Sequence, residues 1–208
     1  MTIAITRPRK RRRKIVVGPG DDGRHMSLDD FDDAEVVPGY SYELGNGLIE
    51  VSNVPAIEHG RQVEEIRDQL GAYGLDHAGA IDYLSTSNNA KLLIGSHESE
   101  RHPDLMVYLS PAPEAKDLWS TWVPELVIEV VSKQSAKRDY EVKPAEYLAL
   151  GVSEYWIVDG FKSRLTILTR WRGQWKKRMV KPTQKVATPL LPGFTLDLKR
   201  VFAAARRK

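Results

Sequence analysis

The sequence contains no cysteine, so disulfide bonds and cysteine-ligated zinc are both excluded. No apolar run approaches the roughly 18 residues that a membrane-spanning helix needs. The basic N-terminus has no apolar stretch behind its charges, so it lacks the pattern of a secretory signal. We therefore expect a cytoplasmic protein without a membrane segment. The 208 residues, 41% of them hydrophobic, suffice for one domain with a sizeable core.

The formal net charge of +3 hides an uneven distribution along the chain. Residues 7–14 hold seven of the 31 Lys and Arg residues and no acid, and the remainder has 24 basic against 28 acidic residues, a net charge of −4. A block of like charge is usually disordered and often contacts nucleic acid. We predict a flexible basic arm over residues 1–24 and a single domain over residues 25–208. The arm residues expected to bind nucleic acid are Arg9, Lys10, Arg11, Arg12, Arg13 and Lys14; a solvated tail and a nuclear-import signal are the alternatives.

Periodicity and turn residues predict a domain that mixes helices and strands. Gly45-Asn46-Gly47 between two alternating segments predicts a β-hairpin over residues 40–52. Apolar residues at helical spacing predict a helix over residues 58–73, and Ser27 can cap a short helix through residue 34. The other predicted strands cover residues 80–84, 91–94, 105–109, 126–131, 155–159, 165–171 and 174–180, and another predicted helix covers residues 139–150 and ends at Gly151.

Two carboxylates stand in the most apolar part of the chain. Asp104 precedes the apolar run 105–109, and Glu129 lies inside another over residues 124–132. Burying a carboxylate among such residues is costly unless its charge is compensated. Two carboxylates on neighbouring strands would lie close together, and a divalent cation is their usual compensation. With a lysine such as Lys143, they would form the minimum set for cutting a phosphodiester bond.

An ordered series of segments surrounds these acids. It consists of Pro103-Asp104, residues 124–132, the spacing of Asp139, Lys143 and Tyr147, and the stretch over residues 151–159 with Glu154-Tyr155-Trp156. This series resembles the Uma family of restriction endonucleases, a branch of the PD-(D/E)XK nuclease superfamily. Residues 42–50 resemble the family's opening hairpin and residues 191–194 its closing segment, so the resemblance covers about residues 27–202. A lone Pro-Asp pair has little specificity, whereas the ordered set is fairly specific.

The resemblance implies an α/β fold of the restriction-endonuclease type, with a mixed central sheet flanked by helices and an N-terminal β-hairpin. It also implies that Asp104, Glu129 and the Val130 carbonyl oxygen hold Mg²⁺ or Mn²⁺. The superfamily usually has a lysine two residues after the glutamate, where this chain has Val131; the family supplies it from the following helix, where Lys143 lies. The implied catalytic set is Asp104, Glu129, Lys143 and Glu43, with His59, Asp139 and Tyr147 as accessory residues.

Each member of this set also has a simpler structural explanation. Glu43 can be a surface strand residue, and Asp104 can be a turn residue that begins a strand. Glu129 can pair with an arginine, although such a buried pair is expensive to form. Asp139 and Lys143 are four residues apart, so on a helix they can form an ordinary surface ion pair.

Other features are equally open at the level of sequence. Proline is disfavoured inside a helix, so the helix either begins near residues 141–143 or kinks at Pro144, and both options affect where Lys143 points. His59 can be a capping or surface group. His97 and His102 lie beside Glu98 and Glu100, a composition that fits either a metal site or a charged loop. Two tryptophans stand in a basic stretch that fits either a nucleic-acid contact or a strand with one buried face: Trp171 and Trp175, among Arg170, Arg172, Lys176, Lys177 and Arg178.

The function predicted from the residues and the resemblance is that of a Mg²⁺-dependent endonuclease, a hydrolase that cuts DNA phosphodiester bonds. Magnesium suits a shell of carboxylate, carbonyl and water oxygens better than zinc does. Cutting both strands of a duplex requires two sites, which a homodimer would supply. The alternative is a catalytically decayed nuclease fold that serves as a nucleic-acid or protein binding module. A non-nuclease enzyme, such as a phosphodiesterase or phosphatase, is a third hypothesis.

Overall fold

The computed structural model describes residues 14–86 and 89–207. Its elements, in chain order, are β1 (Val16–Val17), a 3₁₀ turn (Pro19–Asp21), α1 (Leu28–Asp32), β2 (Glu35–Val36), β3 (Tyr40–Gly45), β4 (Leu48–Asn53), α2 (Ile57–Asp76), β5 (Tyr83–Thr86), β6 (Leu92–Ile94), a second 3₁₀ turn (Gly95–His97), β7 (Ser99–Arg101), β8 (Leu105–Tyr108), β9 (Leu126–Val130), a π-helical turn (Arg138–Val142), α3 (Lys143–Leu150), β10 (Glu154–Asp159), β11 (Arg164–Trp171), β12 (Gln174–Val180) and α4 (Leu198–Ala204). Within these described ranges, no helix combines the length and the apolar character needed to cross a membrane.

A six-stranded sheet forms the centre of the molecule, in the order β12-β11-β10-β9-β8-β5. Strands β9 and β10 are parallel, and the other neighbouring pairs are antiparallel. Helices α2 and α4 contribute to the hydrophobic cluster on one face, and α3 contributes to the cluster on the other. Because both faces are covered, β8, β9 and β10 are buried along their whole length, which explains their nearly continuous apolar sequences. The predicted mixed α/β fold, with a central sheet flanked by helices, is confirmed.

A second sheet, in the order β4-β3-β7-β6, contains the predicted hairpin. Strands β3 and β4 pair from Tyr40 opposite Asn53 to Gly45 opposite Leu48. Asn46 and Gly47 both have positive φ, at 51° and 72°, as a two-residue turn of type I′ requires. Strand β7 was not predicted, because Ser-Glu-Arg shows no apolar alternation.

Helix α3 begins at Lys143, which places Pro144 in its first turn, where a missing N–H costs little. The preceding π-helical turn is closed by the Lys143 N–H, which bonds to the Arg138 carbonyl oxygen. The chain is helical on both sides of this point, because the π-helical turn runs directly into α3, so Pro144 lies at an irregular turn within a longer helical segment, and both options that the sequence left open hold in part. The helix ends at Gly151 with φ of 109°, the left-handed conformation expected there.

The prediction of a flexible arm through residue 24 is wrong for its C-terminal part. Strand β1 pairs in parallel with β2, and Val17 is fully buried beside Phe31 and Leu44. The Gly23 N–H also bonds to the Ile49 carbonyl oxygen at 2.8 Å. Apolar side chains that directly follow the basic run thus attach this segment to the hairpin. Residues 1–13, with the predicted contacts Arg9 to Arg13, lie outside the described residues, and Lys14 forms an exposed ion pair with Glu35.

Candidate active site

Glu129 is the centre of the candidate site. It lies on β9 with a side chain only 6% exposed. Its Oε1 atom accepts hydrogen bonds from the Lys143 amine at 2.7 Å and from the Tyr147 hydroxyl at 2.8 Å. Its Oε2 atom accepts a longer bond, at 3.4 Å, from the Asp104 N–H. Three elements that are distant in sequence therefore meet at one carboxylate.

Asp104 lies immediately before β8 and faces the end of β9. Its Oδ2 atom accepts a hydrogen bond from the Val130 N–H at 2.8 Å and lies 3.1 Å from His59 Nε2. The same imidazole nitrogen lies 2.9 Å from the Val130 carbonyl oxygen, so it must carry the hydrogen that two acceptors share. Burial lowers the pKa of His59, but the Asp104 hydrogen bond and negative charge outweigh burial and leave this pKa raised. The first turn of α2 thus holds the carboxylate and the carbonyl expected to bind metal.

Lys143 is almost completely buried among acids. Its amine lies 2.7 Å from Glu129, 3.5 Å from Glu43 and 3.6 Å from Asp139. Burial lowers the pKa of Lys143, but the charges of these carboxylates outweigh it, so the pKa is raised and the amine stays cationic. Asp139 accepts a hydrogen bond from Ser135 at 2.6 Å, and burial raises the pKa of this carboxyl. We call Asp104, Glu129, Asp139 and Lys143 the Glu129 cluster.

The pKa of Glu129 is strongly raised. Burial raises its pKa, Lys143 opposes that rise, and Asp104, Asp139 and Glu43 add to it, with a net pKa of about 8. Burial also tends to raise the pKa of Glu43, but Lys143, Arg101 and the His102 N–H reverse the effect and bring it to about 2. One acid in this region is therefore held ionised, while its neighbour resists ionisation near neutral pH.

Arg101 was not identified from the sequence, although it organises a second group of charges. Its guanidinium is fully buried and binds Glu146 through Nε at 2.7 Å and Nη2 at 2.9 Å. Its Nη1 atom donates to Glu50 at 2.6 Å and to Glu43 at 3.3 Å. Since Glu146 lies one turn after Lys143 on α3, Arg101 ties that helix to the β3–β4 hairpin. We call Glu43, Glu50, Arg101 and Glu146 the Arg101 cluster.

Gly45 makes room for this second cluster. A Cβ atom at that position would lie 2.3 Å from Glu50 Oε1 and 2.4 Å from Arg101 Nη2, closer than atoms can approach. A glycine at a hairpin is easily attributed to the turn alone, and here the close approach of side chains also requires it. The alternation of Glu43 with Tyr42 and Leu44 did predict that Glu43 faces away from the apolar side, and the register places Glu50 directly opposite it.

The structure also shows which other predicted residues do not join the site. His97 is hydrogen-bonded to Ser96, and His102 pairs with Glu100 at 3.0 Å. Trp171 lies at the end of β11, exposed, with the Lys176 amine 4.1 Å from its ring centre. In contrast, Asp139 belongs to the Glu129 cluster, and three further predicted residues contact its members: Glu43, His59 and Tyr147.

The oxygens suited to a divalent cation are those of Asp104, Glu129 Oε2 and the Val130 carbonyl. Mg²⁺ is commonly held by one or two carboxylates together with water and substrate phosphate, so this donor set fits it. The excess of acids around a single buried lysine, and the raised pKa of Glu129, also favour an added cation. Among the described residues, no group of three or more His, Asp or Glu side chains is placed so that it could hold a metal ion by itself. Water and substrate would have to supply the remaining ligands.

Comparisons with known proteins give the family and support the fold. A family model described as "Uma2: Putative restriction endonuclease" matches residues 28–199. The chain is similar to the crystal structure of a putative nuclease belonging to DUF820 from Anabaena variabilis ATCC 29413, with a TM-score of 0.68 and 17% identity, over 86% of this chain and 99% of that one. At this identity the structural similarity shows a shared fold. No curated protein matches the chain.

Proposed function

The chain belongs to the Uma2 family, and from that premise we propose that it is a metal-dependent endonuclease that hydrolyses DNA phosphodiester bonds. The observation that carries the proposal is the convergence of Asp104, Glu129 and Lys143 at one buried carboxylate. They come from the start of β8, from β9 and from α3. Nothing in the packing of an apolar core calls for three charged groups at this place, because burying charge is costly.

Asp104, Glu129 and the Val130 carbonyl oxygen would hold Mg²⁺ or Mn²⁺ together with water. When bound, such an ion supplies positive charge to the scissile phosphate and lowers the pKa of water. His59 Nε2 lies against two of these oxygens, so it keeps Asp104 and Val130 in place before an ion arrives.

Lys143 would neutralise the negative charge that develops on the phosphate during cleavage. Its raised pKa keeps the amine protonated at neutral pH. Preorganised cations of this kind act strongly in a buried site, because no solvent has to reorganise. The Tyr147 hydroxyl shares Glu129 Oε1 with Lys143, and its strongly raised pKa keeps it a donor. Asp139 helps to orient the amine.

The remaining parts of the hypothesis concern partners and location. Basic residues 9–14 would add sequence-independent affinity for DNA by releasing counterions. A homodimer would bring two sites to a duplex. The homodimer and the cytoplasmic location both stay predictions.

The direct experiment incubates the purified protein with plasmid DNA, single-stranded DNA and RNA, each with Mg²⁺ or Mn²⁺. We expect cleavage of DNA by the parent and none by Glu129→Ala. The matched control is Glu154→Gln, because Glu154 is also a buried glutamate and begins the neighbouring strand β10, opposite Leu126 at the start of β9. Equal cleavage by parent and Glu129→Ala would contradict the proposal and indicate a contaminating nuclease.

The competing hypothesis is a nuclease fold that only binds. One observation favours it: Lys143 already compensates Glu129 at 2.7 Å, so the cluster can persist without metal. Thermal unfolding separates the two hypotheses, since a binding module gains no stability from Mg²⁺ or Mn²⁺, whereas a metal-binding nuclease does. A broad phosphodiesterase and phosphatase screen tests the third hypothesis, a non-nuclease enzyme.

A further inference from the structure

The turn between β10 and β11 lies at the same edge of the central sheet as the candidate site. Val158 pairs in parallel with Val130, and the Val131 N–H donates to the Val158 carbonyl oxygen at 2.8 Å. Neighbouring strands lie about 4.8 Å apart and each residue advances about 3.3 Å, so the turn begins on the order of 10 Å from the Val130 carbonyl. A nucleotide strand held at Glu129 would pass close to it.

This turn has a fixed shape. The buried Asp159 carboxylate accepts hydrogen bonds from the Lys162 N–H and the Tyr140 hydroxyl, both at 2.9 Å. The Lys162 amine lies 3.4 Å from the same carboxylate and 4.9 Å from the centre of the Tyr140 ring. On the other side, Gly160 packs so closely on Gln62 of α2 that a Cβ atom would lie 3.0 Å from its amide nitrogen. Gln62 lies about one helical turn after His59, so the helix that supports Asp104 also supports this turn.

Phe161 lies in this turn, and 63% of its surface is exposed. It belongs to none of the hydrophobic clusters of the described residues. Exposed Lys162 follows it directly, and Arg164 lies 5.6 Å from the Tyr140 ring. Ile57, two residues before His59 in the first turn of α2, is also exposed, at 64%. A rigid, exposed aromatic ring beside cations is the combination that binds single-stranded nucleic acid, because bases stack on the ring while cations face the backbone.

We propose that Phe161 stacks on an unpaired base close to the scissile phosphate, with Lys162 facing the sugar-phosphate backbone. Bases inside a duplex are covered by their neighbours, so the contact requires a single strand, an overhang or an unpaired nucleotide. The preferred substrate is therefore single-stranded nucleic acid or duplex with unpaired nucleotides. This inference rests on the proposed nuclease function and adds the class of substrate to it.

The test measures binding of fluorescent oligonucleotides in buffer without divalent metal, so that no strand is cut. Phe161→Leu keeps an apolar side chain but removes the aromatic face, and Phe161→Trp keeps that face. We expect Phe161→Leu to weaken binding of single strands about tenfold, as loss of one stacked base implies, and to leave binding of blunt duplex unchanged. Phe161→Trp should bind single strands as the parent does. Because Phe161 is exposed, neither change should alter the thermal unfolding midpoint.

Trp171→Leu is the matched control, since Trp171 is also an exposed aromatic beside cations but lies at the other end of β11. It should bind both substrates as the parent does. Single strands that carry 2-aminopurine at successive positions add a direct readout, with quenching at one position in the parent and none in Phe161→Leu. Unchanged single-strand binding by Phe161→Leu, or an equal loss in Trp171→Leu, overturns the inference.

The two proposals fail in different ways. A parent that binds and cuts DNA while Phe161→Leu behaves like it contradicts only the stacking contact. A parent that neither binds nor cuts any oligonucleotide, with Mg²⁺ or Mn²⁺ supplied for the cutting assay, contradicts the nuclease function and the stacking contact together.

Discussion

The Glu129 cluster and the Arg101 cluster have the same composition of charge, three carboxylates and one cation, and they respond to burial in opposite ways. Glu43 of the Arg101 cluster has its pKa lowered to about 2, while the pKa of Glu129 is raised to about 8. Arg101 offers a planar fork of five N–H donors, and Glu43 also receives the His102 N–H and the nearby Lys143 amine. Glu129 shares one amine with two other acids.

This difference distinguishes a group of charges that supports the fold from a candidate active site. Carboxylates that accept bonds from several donors stay ionised and hold neighbouring elements together. A buried carboxylate that resists ionisation beside a specific charged partner is a candidate functional group. The Arg101 cluster fixes the position of α3 relative to the hairpin. Because Lys143 lies on α3, that support also positions the amine of the Glu129 cluster.

The largest effect should follow from breaking the Arg101 cluster. Arg101→Met leaves the buried Glu146 and the partly buried Glu43 and Glu50 without their shared cation, and loss of one partner from a buried ion pair costs about 3–5 kcal/mol. We expect a loss of that order in the free energy of unfolding, measured by urea denaturation. Arg101→Lys should recover part of it, since a point charge cannot replace the bidentate bond to Glu146. A stability equal to that of the parent would show that the cluster is not a support.

Removing the cation of the Glu129 cluster should act mainly on catalysis. Lys143→Met keeps the length of the stem and loses the charge, and we expect cleavage to fall by about 10²–10³-fold. Metal affinity should be retained or slightly raised. The control variant Lys199→Met, at an exposed position on α4, leaves the cluster intact, so its rate at saturating DNA should match that of the parent. Full activity in Lys143→Met would assign the role to another cation, such as Lys137 or Arg138.

The two clusters should also give opposite dependences of stability on pH. The Glu129 pKa rises from 4.5 to about 8 on folding, so the folded protein keeps a proton that the unfolded chain has lost, and stability falls as pH rises through this interval. The Glu43 pKa falls from 4.5 to about 2, so its contribution is present above pH 4.5 and is lost as pH falls towards 2.

Thermal unfolding without metal, from pH 3 to pH 9, checks both signs. Relative to the parent, Glu129→Gln should flatten the decline in stability on the neutral side, and Glu43→Gln should flatten the acid side. If both variants change the pH dependence of the unfolding temperature in the same way, the opposite pKa shifts of Glu129 and Glu43 are wrong.

Metal should stabilise the Glu129 cluster only while its acids are intact. A ligand that binds only the native state at about 100 times its Kd adds about 2.7 kcal/mol to the free energy of unfolding. We expect the parent to gain stability with Mg²⁺ or Mn²⁺, and Asp104→Asn to gain none while being at least as stable as the parent without metal. If the parent gains nothing and Asp104→Asn is simply less stable, Asp104 is a structural residue at the start of β8 and the nuclease proposal fails.

The smallest effect concerns the basic residues before β1. Deleting residues 1–14 removes seven positive charges and leaves β1 with its buried Val17 intact. Binding to long DNA should weaken, and the slope of log K against log salt should become shallower by about 0.9 for each phosphate that the shortened protein no longer neutralises. Cleavage at saturating DNA should stay the same. An unchanged salt slope would show that these residues do not touch DNA.

The sequence by itself determined the central strands, the β3–β4 hairpin, the glycine cap of α3 and the catalytic candidates Asp104, Glu129 and Lys143. These features follow from local patterns, because apolar runs, positive-φ turn residues and an acid inside an apolar strand are all visible over a few residues. The extent of the flexible arm was predicted wrongly because a two-residue strand carries too little pattern to detect.

Only the tertiary structure decided that Arg101 is buried and that His59 faces Asp104. It also decided that position 45 must lack a Cβ atom, because two charged side chains pack against it. Arg101 meets Glu146 and Glu43, which lie 45 and 58 residues away in the chain, and β3 joins β7 through the pair Leu44 and Glu100. Such contacts depend on which strands become neighbours. The energy of a buried charge is set by those neighbours and by the donors they bring, and no short stretch of sequence contains that information.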